Sequence, residues 1–209
     1  NSVAQLEKVC EHINLPIQSG DDQILALMHR GYTSDGYLEL VDRIRKTIPN
    51  VSMSTDIIVG FGNETDEQFR NTMHILETVR FDKVHVAPYS VRPGTIAYRK
   101  IDDALPVEEK MRRLHAIEEL QERIAREIND PLLGTMQEIL VEKEHKGKWQ
   151  GRTRTNKLVF FPAPTNQIGN LVDVRIDRSS AWSLQGQLCL EPNGQAQQSS
   201  SEGQRLSPV

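Results

Sequence analysis

The spacing of apolar segments changes abruptly near residue 131, and this change constrains the fold more tightly than any single motif. Up to that point strand-like and helix-like patterns alternate. HINLPIQ (12–18) reads as a short strand with Pro16 near its end, and VSMSTDIIV (51–59) and KVHVAP (83–88) read as strands. Between them lie two helical patterns after residue 20, the second capped by Ser34 or Asp35 and carrying Tyr37, Leu38, Val41, Ile44 and Ile48. A third helix opens on Thr65 and Gln68, whose spacing is that of a capping box. Strands that recur every 30 to 40 residues with helices between them predict βα units and a parallel sheet. Only about three units fit, too few to close an eight-stranded barrel, so the sheet is expected to look truncated on its N-terminal side, with an exposed edge near 12–18. Pro106 suits the first turn of a long helix with Val107, Met111, Leu114, Ile117, Ile124 and Ile128 on one stripe, stopped at Asn129-Asp130-Pro131.

After Gly134 the period is that of short strands. MQEILVEKE, KWQGRTR, KLVFFP, LVDVRIDR and SLQGQLCL are separated by Gly, Pro, Asn and Lys, which predicts a small antiparallel β-barrel. GQAQQSSSEGQRLSPV closes the sequence almost without apolar residues and is expected to be a disordered tail. The expected division is therefore 1–131, 132–192 and 193–209.

Charge follows the same division. Overall the 209 residues carry only −4. Residues 102–130 hold nine acids against five Lys/Arg, whereas 135–178 hold eight Lys/Arg against five acids. A basic module beside an acidic helix points to an anionic partner such as RNA. No window approaches the roughly 18 apolar residues of a membrane span, and no signal-peptide core is visible, so a cytoplasmic location without membrane association is expected. Cys10 and Cys189 stand far apart and make no CxxC or cluster-ligand spacing. The histidines show no metal-binding spacing.

Ligands of parallel α/β sheets gather at the C-terminal ends of strands. Three such ends are visible: Gln18-Ser19-Gly20-Asp21, Asp56 through Gly60-Phe61-Gly62-Asn63-Glu64, and Tyr89-Ser90 through Arg92-Pro93-Gly94-Thr95. Together they describe one polar rim. Asp56 is an acid inside a strand that otherwise reads as buried, which is costly unless it is paired. It is either a ligand contact or a structural acid below the rim. Arg30 is either a solvated residue at a helix C-terminus or a bidentate clamp for a carboxylate. In the second module GRTRTNKLVFF interleaves Arg152, Arg154 and Lys157 with Phe160 and Phe161, with Trp149 just upstream. Such a set either binds phosphates and stacks on bases or fills and solubilises the barrel.

HINLPIQSGDDQILALMHRGYT, VSMSTDIIVGFGNETDEQFRNT, HVAPYSVRPGT and GRTRTNKLVFF, in that order, closely resemble the methylthiotransferases of the radical S-adenosylmethionine (SAM) class, most closely the MiaB-like tRNA branch. The resemblance spans roughly residues 8 to 190. It implies an α/β fold: the C-terminal half of a radical-SAM partial (β/α) barrel, then a TRAM domain, a small RNA-binding β-barrel. It implies SAM as cofactor, with two [4Fe–4S] clusters in the whole family member whose ligands this chain lacks, and the tRNA anticodon arm as partner. A cluster-bearing N-terminal half is implied as a further partner, so the chain alone is expected to be inactive. Family chemistry is reductive cleavage of SAM to a 5′-deoxyadenosyl radical and methylthiolation at C2 of isopentenyladenosine. By the resemblance, Gln18, Ser19, Arg30, Asp56 and Gly60 face SAM, Tyr89, Ser90 and Arg92 approach the substrate adenosine, and Arg152, Arg154 and Lys157 face tRNA. Catalytic residues are not assigned, and no residue is expected to bind metal. Gly62-Asn63 replaces the family's Pro-Gly, and Asp21-Asp22 replaces Ser-Asp. The alternatives are a stand-alone RNA-binding protein, or a relative acting on threonylcarbamoyladenosine or a ribosomal protein.

Overall fold

The computed structural model describes residues 2–189. The tail expected over 193–209 lies outside them. A short helix α1 (Ser2–Gln5) precedes β1 (His12–Asn14), α2 (Asp22–Leu27) and α3 (Ser34–Thr47). Then come β2 (Ser52–Val59), α4 (Asp66–Val79), β3 (Lys83–Pro88), α5 (Ile96–Lys100) and α6 (Val107–Asn129). The three strands form a parallel sheet in the order β1-β2-β3. The first strand is shorter than the 12–18 run predicts. Pro16 has no N–H to give a ladder, and the chain rejoins β2 only through a single bridge between Gln18 and Ile57, with Gln18 at φ 72°.

Strand β2 explains its own mixed composition. Met53, Ile57 and Val59 enter the core with Tyr37 and Val41 of α3, Phe69, Ile75 and Leu76 of α4, and Leu114, Ile117 and Ile124 of α6. Alternation then sends Ser52, Ser54 and Asp56 to the opposite face. In register beside them lie His12 and Asn14 of β1 and Lys83 and His85 of β3. That face is a polar strip. Asp56 therefore does not sit in the apolar core: it is half-buried, and the Asn14 amide donates to it at 3.3 Å.

Local signals set the helix ends. Asp21 caps α2 by accepting from the N–H groups of Gln23 and Ile24. Thr33 rather than Ser34 caps α3, while the Ser34 N–H donates to Asp22 at 2.7 Å. Thr65 and Gln68 make the capping box of α4 in both directions.

A 3₁₀ turn at Asp130–Leu132, containing Pro131, leads into β4 (Met136–His145), β5 (Lys148–Thr153), β6 (Leu158–Phe161), β7 (Leu171–Ser179) and β8 (Leu184–Leu188). These close into a barrel in the order β4-β5-β6-β8-β7. It is not wholly antiparallel, because β6 and β8 close it as a parallel pair. Ile139, Val141, Val159, Phe161, Val174, Ile176 and Leu184 fill it. Of the two adjacent phenylalanines only Phe161 is interior; Phe160 lies outside, 5.8 Å from the His145 ring. Trp149 is half-buried and donates its indole N–H to the Ala163 carbonyl at 3.2 Å.

The barrel docks on the N-terminal ends of the parallel strands. Arg154 forks onto Glu11 just before β1, at 2.9 and 2.8 Å. The Ser52 hydroxyl donates to the Thr155 carbonyl at 2.7 Å, and Lys157 pairs with Asp82 at 2.7 Å. At the end of α6 the buried Asn129 amide donates to the carbonyls of Ser180 (2.8 Å) and Ala181 (3.3 Å). Among the described residues no helix is long and apolar enough to cross a membrane.

Two glycines set how closely the barrel strands cross. A Cβ at Gly151 would lie 2.3 Å from the Leu140 carbonyl oxygen, and one at Gly186 would lie 2.3 Å from that of Arg175. Both obstacles are backbone and cannot rotate away. Gly151→Ala is expected to lower barrel stability by roughly 1–3 kcal/mol or more, read as an earlier urea midpoint, while Gly147→Ala, with open space around it, pays only for its positive φ.

Candidate functional site

The polar rim is built at the C-terminal ends of β1, β2 and β3, the end away from the barrel. Strand β2 ends at Gly60, which takes φ 76° and lies so close to α6 that a Cβ would meet Lys110 Cγ at 2.6 Å. Its N–H donates to Glu64 Oε2 at 2.9 Å. Glu64 is 1% exposed and pairs with the equally buried Arg113 of α6 at 3.0 Å. Arg113 also donates to the Glu64 carbonyl (2.7 Å), to Asp66 (2.9 Å) and to Glu109 (2.8 Å). Burial pushes the Glu64 carboxyl up, and the Gly60 N–H and the Arg113 guanidinium act against that rise. This loop is thus tied to α6 by a buried charge pair with its remaining hydrogen bonds made.

Strand β3 ends at Tyr89, whose N–H donates to the Val59 carbonyl at 2.8 Å. Lys110, 4% exposed, donates to the Tyr89 carbonyl at 3.2 Å, pairs with Asp103 and stands 5.4 Å from the Tyr89 ring centroid. Phe61 meets Tyr89 edge-on at 4.7 Å. The departure at Gly62-Asn63 leaves a formed turn. Both residues take positive φ, and Asn63 Oδ1 accepts from the N–H groups of Ala104 (2.7 Å) and Leu105 (3.1 Å), fastening the segment before α6.

Above this support lies a cavity of about 810 Å³ whose walls include Arg30, Ile58, Phe61, Tyr89, Lys100 and Ile101. A smaller recess of about 270 Å³ adjoins it, sharing Ile58 and Tyr89 and bringing in Ser90 and Arg92. The structure therefore brings Arg30, Tyr89, Ser90 and Arg92 to one rim, with Gly60 directly behind it. Gln18 is buried beside β2, bridged to Ile57 next to Ile58. Ser19 does not reach the rim. It is wholly buried, accepting from the Asp21 N–H at 3.2 Å and lying 3.4 Å from Thr72, so it builds the turn against α4. Asp56 lies on the polar strip opposite His85, short of the strand end.

In the barrel, Arg152, Arg154 and Lys157 do not form one open basic face. Arg154 and Lys157 turn to the sheet, because Glu11 and Asp82 offer carboxylates at the strand ends. Arg152 remains 41% exposed, 3.3 Å from Glu142.

The rim read from the sequence includes Glu64 without its partner and leaves out Lys110 and Arg113, yet the sequence carries one signal of them. Lys110 and Arg113 fall four residues before Leu114 and Ile117, on the stripe of α6 that faces the core. A charge on an apolar stripe needs a buried partner.

Residues 2–76 match the Radical SAM superfamily and residues 132–189 match the TRAM domain. The chain is 53% identical over 191 residues to a tRNA-2-methylthio-N(6)-dimethylallyladenosine synthase of Herpetosiphon aurantiacus, covering 90% of this chain and 44% of that protein. It is 50% identical to the enzyme so named from a Roseiflexus species (90% and 40%) and 48% identical to that of Dehalococcoides mccartyi strain CBDB1 (90% and 45%). A partial α/β barrel with a strand-end rim, followed by a closed β-barrel, is thus a radical SAM domain joined to a TRAM domain. Over 90% of its length the chain is similar to these tRNA-2-methylthio-N(6)-dimethylallyladenosine synthases, and it spans under half the length of the curated relatives it matches.

Removing one member of the buried pair leaves the other charge unpaired. Arg113→Met is expected to cost roughly 3–5 kcal/mol, and the double variant Glu64→Gln/Arg113→Met less than Arg113→Met alone, both measured by urea unfolding. Glu109 gives a pH counterpart. Hydrogen bonds from Arg112 and Arg113 hold its carboxyl down to about 2, from an ordinary 4.5. A depressed acid contributes stability that is full above its unfolded value and is lost as pH falls towards its folded one. Glu109→Gln should therefore flatten the acid limb of stability below about pH 4.5, by a small amount because the pair lies near the surface.

Proposed function

We propose that this chain is the SAM- and tRNA-facing portion of a cytoplasmic methylthiotransferase acting at C2 of isopentenyladenosine beside the tRNA anticodon. The observation that carries the reading is the rim: one cavity at the C-terminal strand ends that joins a guanidinium to apolar and aromatic walls. A nucleoside bearing an amino-acid tail needs both. SAM fits these residues. Arg30 would take its carboxylate, Ile58 and Phe61 would flank the adenine, and the Gln18 amide and the backbone at Gly60 would orient it. Asp56, held by Asn14, would act from below by fixing the strand ends. Tyr89, Ser90 and Arg92 at the adjoining recess would position the substrate adenosine and exclude water. Bound SAM would supply the cleavable sulfonium and the methyl group of the reaction.

The described residues do not fit an iron–sulfur cluster. No group of three or more His, Cys, Asp or Glu among them is placed to hold a metal ion, and Cys10 and Cys189 precede β1 and follow β8, away from the rim. The cluster thiolates belong to another part of the enzyme, so this chain alone runs no turnover. The TRAM barrel carries the tRNA, with Arg152 among its contacts, while Arg154 and Lys157 hold the barrel in place.

The test joins this chain to the preceding portion of its Herpetosiphon relative. The chimera should methylthiolate tRNA, detected by nucleoside mass spectrometry. Arg30→Met should lower kcat/KM for SAM at least tenfold, roughly the worth of a charged hydrogen bond. A chimera with full cluster content and no methylthiolated nucleoside would overturn the reading, as would stoichiometric iron in this chain after anaerobic reconstitution by itself.

A further inference from the structure

Between the polar strip of the sheet and the barrel lies a cleft of about 530 Å³ whose lining includes His12, Lys83, His85, Arg152, Lys157 and Trp182. Its volume is in the range of about 300–1,000 Å³ usual for small-molecule sites. The charges in it are unbalanced. The one carboxylate of the lining, Asp82, is fully engaged: one oxygen pairs with Lys157 at 2.7 Å and the other accepts the Met53 N–H at 2.9 Å. Lys83 is exposed and makes no ion pair among the described residues. Arg152, in the same lining, keeps solvent access although Glu142 stands 3.3 Å from it outside the cleft. His12 records the same field: burial lowers its pKa, and Arg152, Lys157 and Lys83 lower it further against Asp82 alone.

At the mouth stands Trp182, 55% exposed. Its loop is rigid. Asn129 of α6 donates to the carbonyls on its N-terminal side, and Ser180 and Ser183 close it with hydrogen bonds of 3.0 Å in both directions. An indole held in solvent by a braced loop is a stacking platform. Beyond Trp182 the surface is acidic, with Glu118, Glu119 and Glu122 of α6 lining the next groove, so a polyanion is confined to the cleft side.

We propose that this cleft seats one unpaired nucleotide of the bound RNA, its base on the Trp182 ring and its phosphate between Lys83 and Arg152. The proposal rests on the reading that the chain binds tRNA, and it adds sheet residues to a contact otherwise left to the barrel.

The full chain carries two tryptophans, so Trp149→Phe leaves Trp182 as the only indole. Titration with a synthetic anticodon stem-loop RNA should quench its fluorescence. Trp182→Ala should weaken binding about tenfold, Trp182→Phe should restore most of it, and Lys83→Ala should reduce the slope of log affinity against log salt by about one. RNA binding at full affinity in both alanine variants, without quenching, would overturn the cleft and leave the tRNA reading intact. No RNA binding at all would overturn both. Quenching by poly-glutamate equal to that by RNA would make the cleft a site for acidic peptides and overturn the nucleotide assignment.

Discussion

The ion pair between Glu64 and Arg113 is the contact on which the rest of the rim depends. It joins the loop after β2 to α6 in a place that water does not reach, and its geometry fixes the N–H of Gly60. Because Gly60 has no room for a side chain against Lys110, β2 can end only where α6 allows it. Lys110 then ties the end of β3 to the same helix through the Tyr89 carbonyl. Two of the three strand ends are thus positioned by one helix, and the cavity above them follows from that positioning. Buried charges of this sort add little net stability; what they supply here is a defined geometry.

Helix α6 works at both of its ends. Lys110 and Asn129 are nineteen positions apart, about 30 Å along a helix. The first sits beneath the rim, and the second holds the loop that carries Trp182. The same helix packs Leu114, Ile117, Leu120 and Ile124 into the sheet's core. Rim, core and barrel are therefore referred to one rigid element rather than to a flexible linker at Pro131.

Periodicity disclosed much of this architecture. The three parallel strands, the capping box at Thr65, the long helix after Pro106 and the five short strands all follow from local pattern. Pairing did not. That β6 and β8 run parallel is a matter of barrel closure, which no local pattern encodes. The site was legible in the same uneven way. Strand-end glycines marked the rim, because a backbone that turns sharply needs them whatever surrounds it. Ser19 looked like a rim residue because a polar turn residue reads the same whether it faces a ligand or Thr72. Arg154 and Lys157 looked like an RNA face because their partners, Glu11 and Asp82, lie 143 and 75 residues away. Only contacts between distant segments distinguish a cation that holds a joint from one that awaits a phosphate.

The burial of Lys157 and Asp82, with side chains 12% and 18% exposed, has a consequence for how the molecule responds to its ionic surroundings. Counterions screen exposed charges within about 10 Å at 0.1 M and reach enclosed pairs far less. The same lysine-and-carboxylate chemistry therefore sorts into two classes by enclosure alone. In the proposed complex, rising salt would strip the RNA from Lys83 and Arg152 while the sheet and barrel stayed joined, so the frame that shapes the cleft would outlast the contact made in it.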